Sequence, residues 1–178
     1  MQRLRLFYND VVVPKLVEKF KYKSISDVPK IEKIVINRGL DESCQNTKVL
    51  DSLVLELTQV TGQRFYLTRS KKAISNFKLK QNVPIGMCVT LRRDRMYSFF
   101  DRLVNLALPR IRDFQGVKSS GFDGFGSYSF GIPDQSMFPE IEFDKISKFK
   151  GMDIVIVTTS KTEEEAFFLL KELGMPFK

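Results

Sequence analysis

Eight cationic side chains and no acidic ones lie between Leu57 and Arg93. They are Arg64, Arg69, Lys71, Lys72, Lys78, Lys80, Arg92 and Arg93. The chain has 29 Lys and Arg residues against 21 Asp and Glu residues, so its formal net charge of +8 lies entirely in this stretch. A cluster of cations without acids attracts the phosphates of a polyanion. Amide and aromatic side chains among the cations, including Gln63, Tyr66, Asn76 and Phe77, favour RNA over lipid headgroups.

Catalytic and metal-binding residues are scarce. The chain has no histidine, and its two cysteines, Cys44 and Cys88, lie far apart. It therefore lacks the commonest general acid–base residue and any set of nitrogen and sulfur ligands for zinc. Carboxylate or lysine chemistry remains open, but no convergent group of such residues is evident. We predict no catalytic site, no metal site and no cofactor, with two free thiols favoured over a disulfide and Cys88 packed in a strand.

Two other motifs could be mistaken for functional sites. The glycine-rich run at residues 121–126 is not a phosphate-binding loop, since no Lys-Ser or Lys-Thr pair follows it. We predict a sharp irregular loop with packed Phe side chains. The acidic run Glu163 to Glu165 follows Thr162 in the first turn of a helix, where negative charge is favourable, so it indicates a capping box rather than a catalytic cluster.

Hydrophobic periodicity predicts the order α-β-α-β-β-α-β-β-α. The predicted helices cover residues 3–20, 46–61, 94–108 and 162–174, and the predicted strands cover residues 31–40, 65–68, 87–92, 127–132 and 152–159. Pro14 cannot donate to the Asp10 carbonyl, so a kink or a restart of the helix is expected near Asn9 and Asp10. The strand at 152–159 is expected to pack on both faces.

This order lacks a regular βαβ repeat. It predicts one α+β domain over residues 1–178, with a mostly antiparallel sheet and helices packed on one face. No apolar run approaches the ~20 residues of a membrane helix, so we expect no membrane partner.

Two surfaces are candidates for nucleic-acid binding. Residues 69–84 form a basic segment without a sustained apolar period, which predicts a long loop without internal structure; its Phe77 could stack on a base. The alternative is a solvated basic loop. The polar residues Asn37, Gln63, Thr90 and Arg92 lie at or near positions of the central strands, where they could bond RNA edges and 2′-hydroxyls. The ordinary solvated side of a sheet is an equal alternative.

Several motifs, in this order and spacing, resemble the large-subunit ribosomal protein five family in its bacterial and organellar form. They are VPKIEKI at residues 28–34, TGQ at 61–63, FK at 77–78, PIG at 84–86, VTLR at 89–92, LPRIRDF at 108–114, FDG at 122–124, FPEI at 138–141, GMDI at 151–154 and PF at 176–177. The resemblance covers the chain from end to end. It implies a structural RNA-binding protein of the large ribosomal subunit that is not an enzyme.

The resemblance also implies partners and sites. The partners are 5S rRNA in the central protuberance, other large-subunit rRNA, P-site tRNA and a protein of the small-subunit head. The expected 5S rRNA contacts are Asn37, Arg38, Gln63, Arg64, Thr90 and Arg92. The expected tRNA contacts are Arg69, Lys71, Lys72, Phe77, Lys78 and Lys80. The intersubunit bridge to the head is expected on loops between Asp134 and Lys150.

The chain departs from the family pattern at a few positions. Arg38 stands where the family usually has an apolar residue and is expected to add a phosphate contact. Asn76 and Asn82 replace loop glycines, although asparagine tolerates the left-handed conformation. Three segments are most similar to plastid members of the family: MYSF at residues 96–99, NLALPR at 105–110 and GMPF at 174–177. This similarity implies a location in ribosomes of the chloroplast stroma, with the bacterial cytoplasm as the alternative.

Two other functional classes remain as alternatives. One is a generic RNA-binding protein, and the other is a small-molecule enzyme with a basic patch. An enzyme would need a convergent pocket of carboxylates or lysines. A membrane-surface protein would need its cations on an amphipathic helix, and here they fall in a loop and at strand ends.

Overall fold

The computed structural model describes residues 2–40, 47–141 and 149–178. Its helices are α1 (Arg3–Phe7), α2 (Val13–Phe20), α3 (Thr47–Thr61), α4 (Arg93–Arg102) and α5 (Glu163–Glu172). Its strands are β1 (Ile31–Gly39), β2 (Tyr66–Arg69), β3 (Pro84–Leu91), β4 (Tyr128–Ile132) and β5 (Met152–Thr158). The order of helices and strands predicted from hydrophobic periodicity is confirmed.

The five strands form one sheet in the order β2-β3-β1-β5-β4. Every neighbouring pair is antiparallel, and β1 lies at the centre between β3 and β5. In this register Asn37 of β1 faces Cys88 on one side and Asp153 on the other. The predicted α+β class with an antiparallel sheet is therefore confirmed.

The helices cover one face of the sheet. Alternate strand residues such as Ile34, Met87 and Ile156 are fully buried on that face. They belong to one core together with helix residues including Leu16, Leu57, Phe99 and Leu169. This burial removes large apolar side chains from water and is the main stabilising term of the fold. The prediction of helices on one face is confirmed.

The other face of the sheet carries no helix within the described residues. Strand β5 shows the consequence, because Ile154 and Ile156 are fully buried while Val155 and Val157 are only half-buried. The prediction that this strand packs on both faces is wrong. A run of β-branched residues satisfies strand propensity as well as burial, so it does not by itself show that both faces are covered.

Two of the predicted helices are interrupted by wide turns. A π-helical turn at Tyr8–Val12 separates α1 from α2 just before Pro14, at the position where a kink or a restart of the helix was predicted. Helix α4 passes into a second π-helical turn at Leu103–Ala107 and then a 3₁₀ turn at Leu108–Arg110. The predicted helix at 94–108 is thus three consecutive helical pieces.

The glycine-rich loop is fixed by one carboxylate. Asp123 accepts hydrogen bonds from the backbone amides of Phe125 and Ser127, both at 2.9 Å. Phe122 packs against Tyr128, with ring centroids 4.6 Å apart, whereas Phe125 is 82% exposed. The prediction of packed Phe side chains is right for Phe122 and wrong for Phe125, because Phe125 lies at the tip of the turn.

Helix α5 begins as predicted. The Thr162 hydroxyl accepts a hydrogen bond from the Glu165 amide at 3.4 Å, and the Glu165 carboxylate accepts one from the Lys161 amide at 3.0 Å. Within the described residues, no helix is long and apolar enough to span a membrane. Across the same part of the chain, no cluster of three or more Asp, Glu or Cys side chains could hold a metal ion.

Candidate nucleic-acid interface

The sheet face opposite the helices is a polar surface, here called the open face. Strand register and alternation place ten residues on it: Tyr66 and Thr68, Cys88 and Thr90, Val35 and Asn37, Val155 and Asp153, and Ser129 and Gly131. Arg64 is exposed just ahead of β2. The strand register places Tyr66, Cys88, Asn37, Asp153 and Gly131 in one row across all five strands. Asn37, Asp153 and Tyr66 are exposed in that row. A second row joins Thr90 to Val35, Val155 and Ser129.

The Gln63 side chain is held at the end of β3. Its Nε2 donates a hydrogen bond to the Thr90 carbonyl at 3.1 Å, and its Oε1 accepts one from Arg95 Nη1 at 3.4 Å. Gln63 is half-buried, whereas Arg64 and Arg95 are exposed. The structure therefore brings Gln63 and Thr90 together and adds Arg95, while Arg64 follows Gln63 in the chain. Arg95 follows Asp94, beyond the acid-free stretch, so charge clustering in the sequence did not point to it.

Arg92 lies near a carboxylate. Its Nη1 donates to Glu32 Oε1 at 3.4 Å, and both side chains are about half exposed. Asp153 places a second acid on the open face. Strand pairing thus brings acids from β1 and β5 beside a segment that contains none in sequence, and the open face is less positive than its sequence predicts.

Arg38 lies on the helix-covered side of the sheet. It is fully buried and faces Met87, which is also fully buried. Burial raises the pKa of Glu56 on α3, and the positive charge of Arg38 opposes this rise. Glu56 Oε1 also accepts a hydrogen bond from Gln135 Nε2 at 2.8 Å. The prediction that Arg38 adds a phosphate contact is wrong, because alternation along β1 directs it into the core beside Ile36.

Tyr66 and Cys88 lie opposite each other on the open face, on strands β2 and β3. Hydrogen bonding with the Cys88 thiol raises the pKa of Tyr66. Cys88 is a free thiol and is buried, as predicted, while Tyr66 is 57% exposed. Cys44 lies outside the described residues. The sequence places Tyr66 among the aromatic residues of the basic stretch. It does not show that the strand exposes this side chain.

Residues 69–84, here called the basic hairpin, have internal structure. At its base Ser70 Oγ donates to the Lys80 carbonyl at 2.6 Å and accepts from the Val83 amide at 3.0 Å. Further out, Ile74 and Leu79 form an antiparallel bridge with backbone hydrogen bonds of 2.9 and 3.0 Å. The prediction of a loop without internal structure is wrong, since backbone pairing here needs no apolar period.

The tip of the basic hairpin is exposed. A 3₁₀ turn at Ser75–Phe77 forms the tip, and Lys78 follows in the left-handed region with φ of +50°. Asn82 also adopts a positive φ of +68°, which agrees with the tolerance expected of asparagine. Phe77 is 72% exposed, so it does not pack the hairpin against itself.

All six residues predicted to contact tRNA are exposed on the basic hairpin, namely Arg69, Lys71, Lys72, Phe77, Lys78 and Lys80. Arg69 Nη1 also donates to the Asn82 carbonyl at 3.1 Å, which closes the base of the hairpin. The hairpin joins the end of β2 to the start of β3, so it extends past the ends of these two strands.

The region predicted to reach the small-subunit head is only partly described, because residues 142–148 lie outside the described residues. In the described part, Gln135, Met137 and Phe138 are buried, and Glu140 forms an ion pair with Arg102. Phe149 is 62% exposed. The bridge contact stays a prediction.

Comparison with known proteins gives a consistent result over the whole chain. Residues 24–80 match the family described as Ribosomal protein L5, and residues 84–177 match the family described as the C-terminus of the same ribosomal protein. The two matches meet inside the basic hairpin, and strands from both belong to the same sheet.

Three relatives illustrate the similarity. The large ribosomal subunit protein uL5c of Euglena gracilis is 59% identical over 178 residues, covering 100% of this chain and 99% of the relative. The uL5c of Pleurastrum terricola is 60% identical over 178 residues, with coverages of 100% and 96%. The uL5 of Rippkaea orientalis is 56% identical over 177 residues, with coverages of 99% and 98%.

Proposed function

The chain belongs to the ribosomal protein L5 family, and we propose that it binds 5S rRNA through the open face and P-site tRNA through the basic hairpin. As a member of that family it is a structural constituent of the large ribosomal subunit and not an enzyme. Its relatives named uL5c indicate a plastid ribosome, and the similar uL5 of Rippkaea orientalis is consistent with the bacterial alternative.

The observation that carries the 5S rRNA proposal is an uncovered, polar sheet face in an otherwise well-packed domain. Five strands spaced ~4.8 Å apart give a surface roughly 20 Å wide, enough to lie along the shallow minor groove of an RNA helix. Asn37 and Thr90 offer an amide and a hydroxyl on adjacent strands of that surface. Arg64, Arg92 and Arg95 lie at one end, where they can approach the RNA backbone.

The open face is tested by removing its uncharged polar groups. Replacing Asn37 and Thr90 together with valine should lower affinity for 5S rRNA by about 30-fold or more, because the RNA groups facing each side chain would be left without partners at ~1–3 kcal/mol each. Replacing Gln59, an exposed amide on α3, with valine is the matched control and should leave the affinity for 5S rRNA unchanged. Filter-binding titration of 5S rRNA measures both. Unchanged binding by the double variant would contradict the assignment of this face.

The cations of the open face are tested by the salt dependence of binding. Arg64→Ala should reduce the slope of log affinity against log salt by about one unit at most. Arg92→Ala should reduce it less, because Glu32 already neutralises part of the Arg92 charge. Lys171→Ala, on helix α5, is the control for charge removal. If the Arg64 variant keeps the parent slope, Arg64 does not neutralise a phosphate.

The tRNA proposal is carried by the exposed cations of a hairpin that extends past the ends of β2 and β3. Contacts from lysine side chains to a phosphate backbone do not depend on base sequence, as a site that serves every tRNA requires. Changing Lys71, Lys72, Lys78 and Lys80 to alanine keeps the Ser70 hydrogen bonds that close the hairpin, since these involve only backbone groups of Lys80 and Val83.

This quadruple variant should keep its affinity for 5S rRNA while ribosomes assembled with it retain less tRNA in the P site. Filter binding measures the first quantity, and retention of labelled tRNA on purified ribosomes measures the second. If the variant loses 5S rRNA binding but ribosomes containing it retain tRNA normally, the basic hairpin binds 5S rRNA and not tRNA.

We also propose that the small-subunit head is contacted by residues 134–150. The exposed Phe149 ring supports this, since it offers an apolar contact next to a half-buried lysine, Lys150. A photocrosslinker placed at position 149 should capture a small-subunit protein in intact ribosomes. Capture of large-subunit components alone would contradict it.

A further inference from the structure

An aromatic ring stands on the open face at the edge of the sheet. Tyr66 belongs to edge strand β2, and more than half of its surface is exposed, whereas the preceding Phe65 is buried in the core. Exposing a large aromatic ring to water forgoes the stabilisation that burial would give. Strand pairing sets Tyr66 opposite Cys88 of β3, so its backbone position is fixed by the sheet.

The groups around this ring are those that recognise a nucleotide. Thr68 lies two residues after Tyr66 in β2, so strand alternation places it on the same face. Arg64 lies two residues before Tyr66, just ahead of β2, and is exposed. Asn37 lies two strands away in the same row, at roughly 10 Å, with Cys88 between them. The arrangement offers a flat ring and an amide in one row of the sheet, with an exposed guanidinium just ahead of β2.

We propose that Tyr66 stacks on an unpaired base of the bound RNA. Bases inside an RNA helix present only their edges to a protein, because their faces are stacked on one another. An exposed ring on the binding surface is thus suited to a base in a loop or bulge, whose face is free. Asn37 is placed to bond the edge of that nucleotide, and Arg64 to bond its phosphate. This inference rests on the proposed binding of 5S rRNA to the open face.

The charge on the neighbouring Arg64 and the polar row beyond Cys88 favour RNA over an apolar protein partner. Stacking contributes ~1–3 kcal/mol per base, and it involves no ion release. It can therefore be separated experimentally from phosphate binding, because a stacking residue changes affinity without changing its salt dependence.

The test compares Tyr66→Val with Tyr66→Phe in filter-binding titrations of 5S rRNA. Tyr66→Val should lower affinity by about 5- to 150-fold at an unchanged salt slope, whereas Tyr66→Phe should bind like the parent. Valine suits an edge strand, and melting curves check that the variant is folded. Phe7→Val, which removes a half-exposed ring from helix α1, is the matched control and should have no effect.

Ultraviolet crosslinking of the complex gives an independent result. It should join the peptide containing Tyr66 to one nucleotide that is unpaired in 5S rRNA, and base-modifying reagents should reach that nucleotide in the Tyr66→Val complex but not in the parent complex. Parent affinity in Tyr66→Val, or a crosslink to a paired nucleotide, would overturn the inference.

The outcomes separate this inference from the function on which it rests. If the Asn37 and Thr90 double variant loses RNA binding while Tyr66→Val does not, the open face binds RNA but Tyr66 does not stack. If neither variant loses binding, the open face is not the RNA surface and both proposals fail.

Discussion

Replacing Arg38 with methionine should destabilise the protein without weakening RNA binding by the folded molecule. Methionine has a similar length and an apolar chain, so it can occupy the buried space but brings no charge. The change leaves the Glu56 carboxylate without the positive charge that opposes its rise in pKa. Arg38 therefore acts as a structural cation beneath the sheet.

The size of the effect follows from the burial of the two groups. Breaking a buried, hydrogen-bonded ion pair by removing one partner costs ~3–5 kcal/mol, and this is the upper limit for the effect of the Arg38 charge on Glu56. Arg38 is fully buried, but Glu56 is only half-buried and can recover some hydration, so we expect about 2–4 kcal/mol. For a chain of this length, each kcal/mol lowers the melting temperature by ~2–4 °C, which gives a loss of roughly 4–16 °C.

The loss should depend on pH in a defined direction. Without Arg38, the pKa of Glu56 in the folded protein rises further above its ordinary value of 4.5. The folded variant then binds a proton more tightly than the unfolded chain does, so its stability falls as pH rises from the ordinary pKa through the raised one. The difference between variant and parent should be smallest near the ordinary pKa and largest at neutral pH.

Melting curves over this pH range, together with filter binding of 5S rRNA, test the prediction. Adding Glu56→Gln to the Arg38 variant should recover part of the lost stability at neutral pH, because it removes the uncompensated carboxylate. A variant that melts like the parent but binds RNA more weakly would refute the reasoning and show that Arg38 contacts RNA.

Two further predictions concern the same sheet. Glu32→Gln should raise affinity for 5S rRNA by roughly 1.5- to 5-fold in filter-binding titrations, because it releases Arg92 from an exposed ion pair worth ~0.2–1 kcal/mol; weaker binding would show that Glu32 itself contacts RNA. Gly86→Ala should cost ~1–3 kcal/mol in denaturant unfolding, since its Cβ would lie 2.9 Å from Thr68 Oγ1. Gly131→Ala, which meets nothing nearer than 3.5 Å, is the control and should be nearly neutral.

Local patterns predicted the elements of the fold and the phase of most strands. In β3, Met87, Val89 and Leu91 alternate with less apolar residues, and the structure buries all three. The same alternation, continued from Ile34 and Ile36, places Arg38 on the core face. That signal was present in the sequence, but the charge of arginine outweighed it in the prediction.

The internal structure of the basic hairpin could not be predicted in this way. Its hydrogen bonds join backbone groups and the Ser70 hydroxyl, and none of these leaves an apolar period in the sequence. The exposure of Tyr66 beside the buried Phe65 likewise depends on how β2 pairs with β3. Register determines which side chain of an edge strand faces the solvent.

By itself, the sequence determined the order of helices and strands, the antiparallel α+β class and the position of the basic segment, because these depend on residues close together in the chain. Its family motifs determined the family. Only the tertiary structure decided that Arg92 meets Glu32, that Asp153 joins the open face and that Arg38 acts on Glu56. These contacts join separate strands and helices, and the energy of a charge depends on its neighbours in space and on its burial.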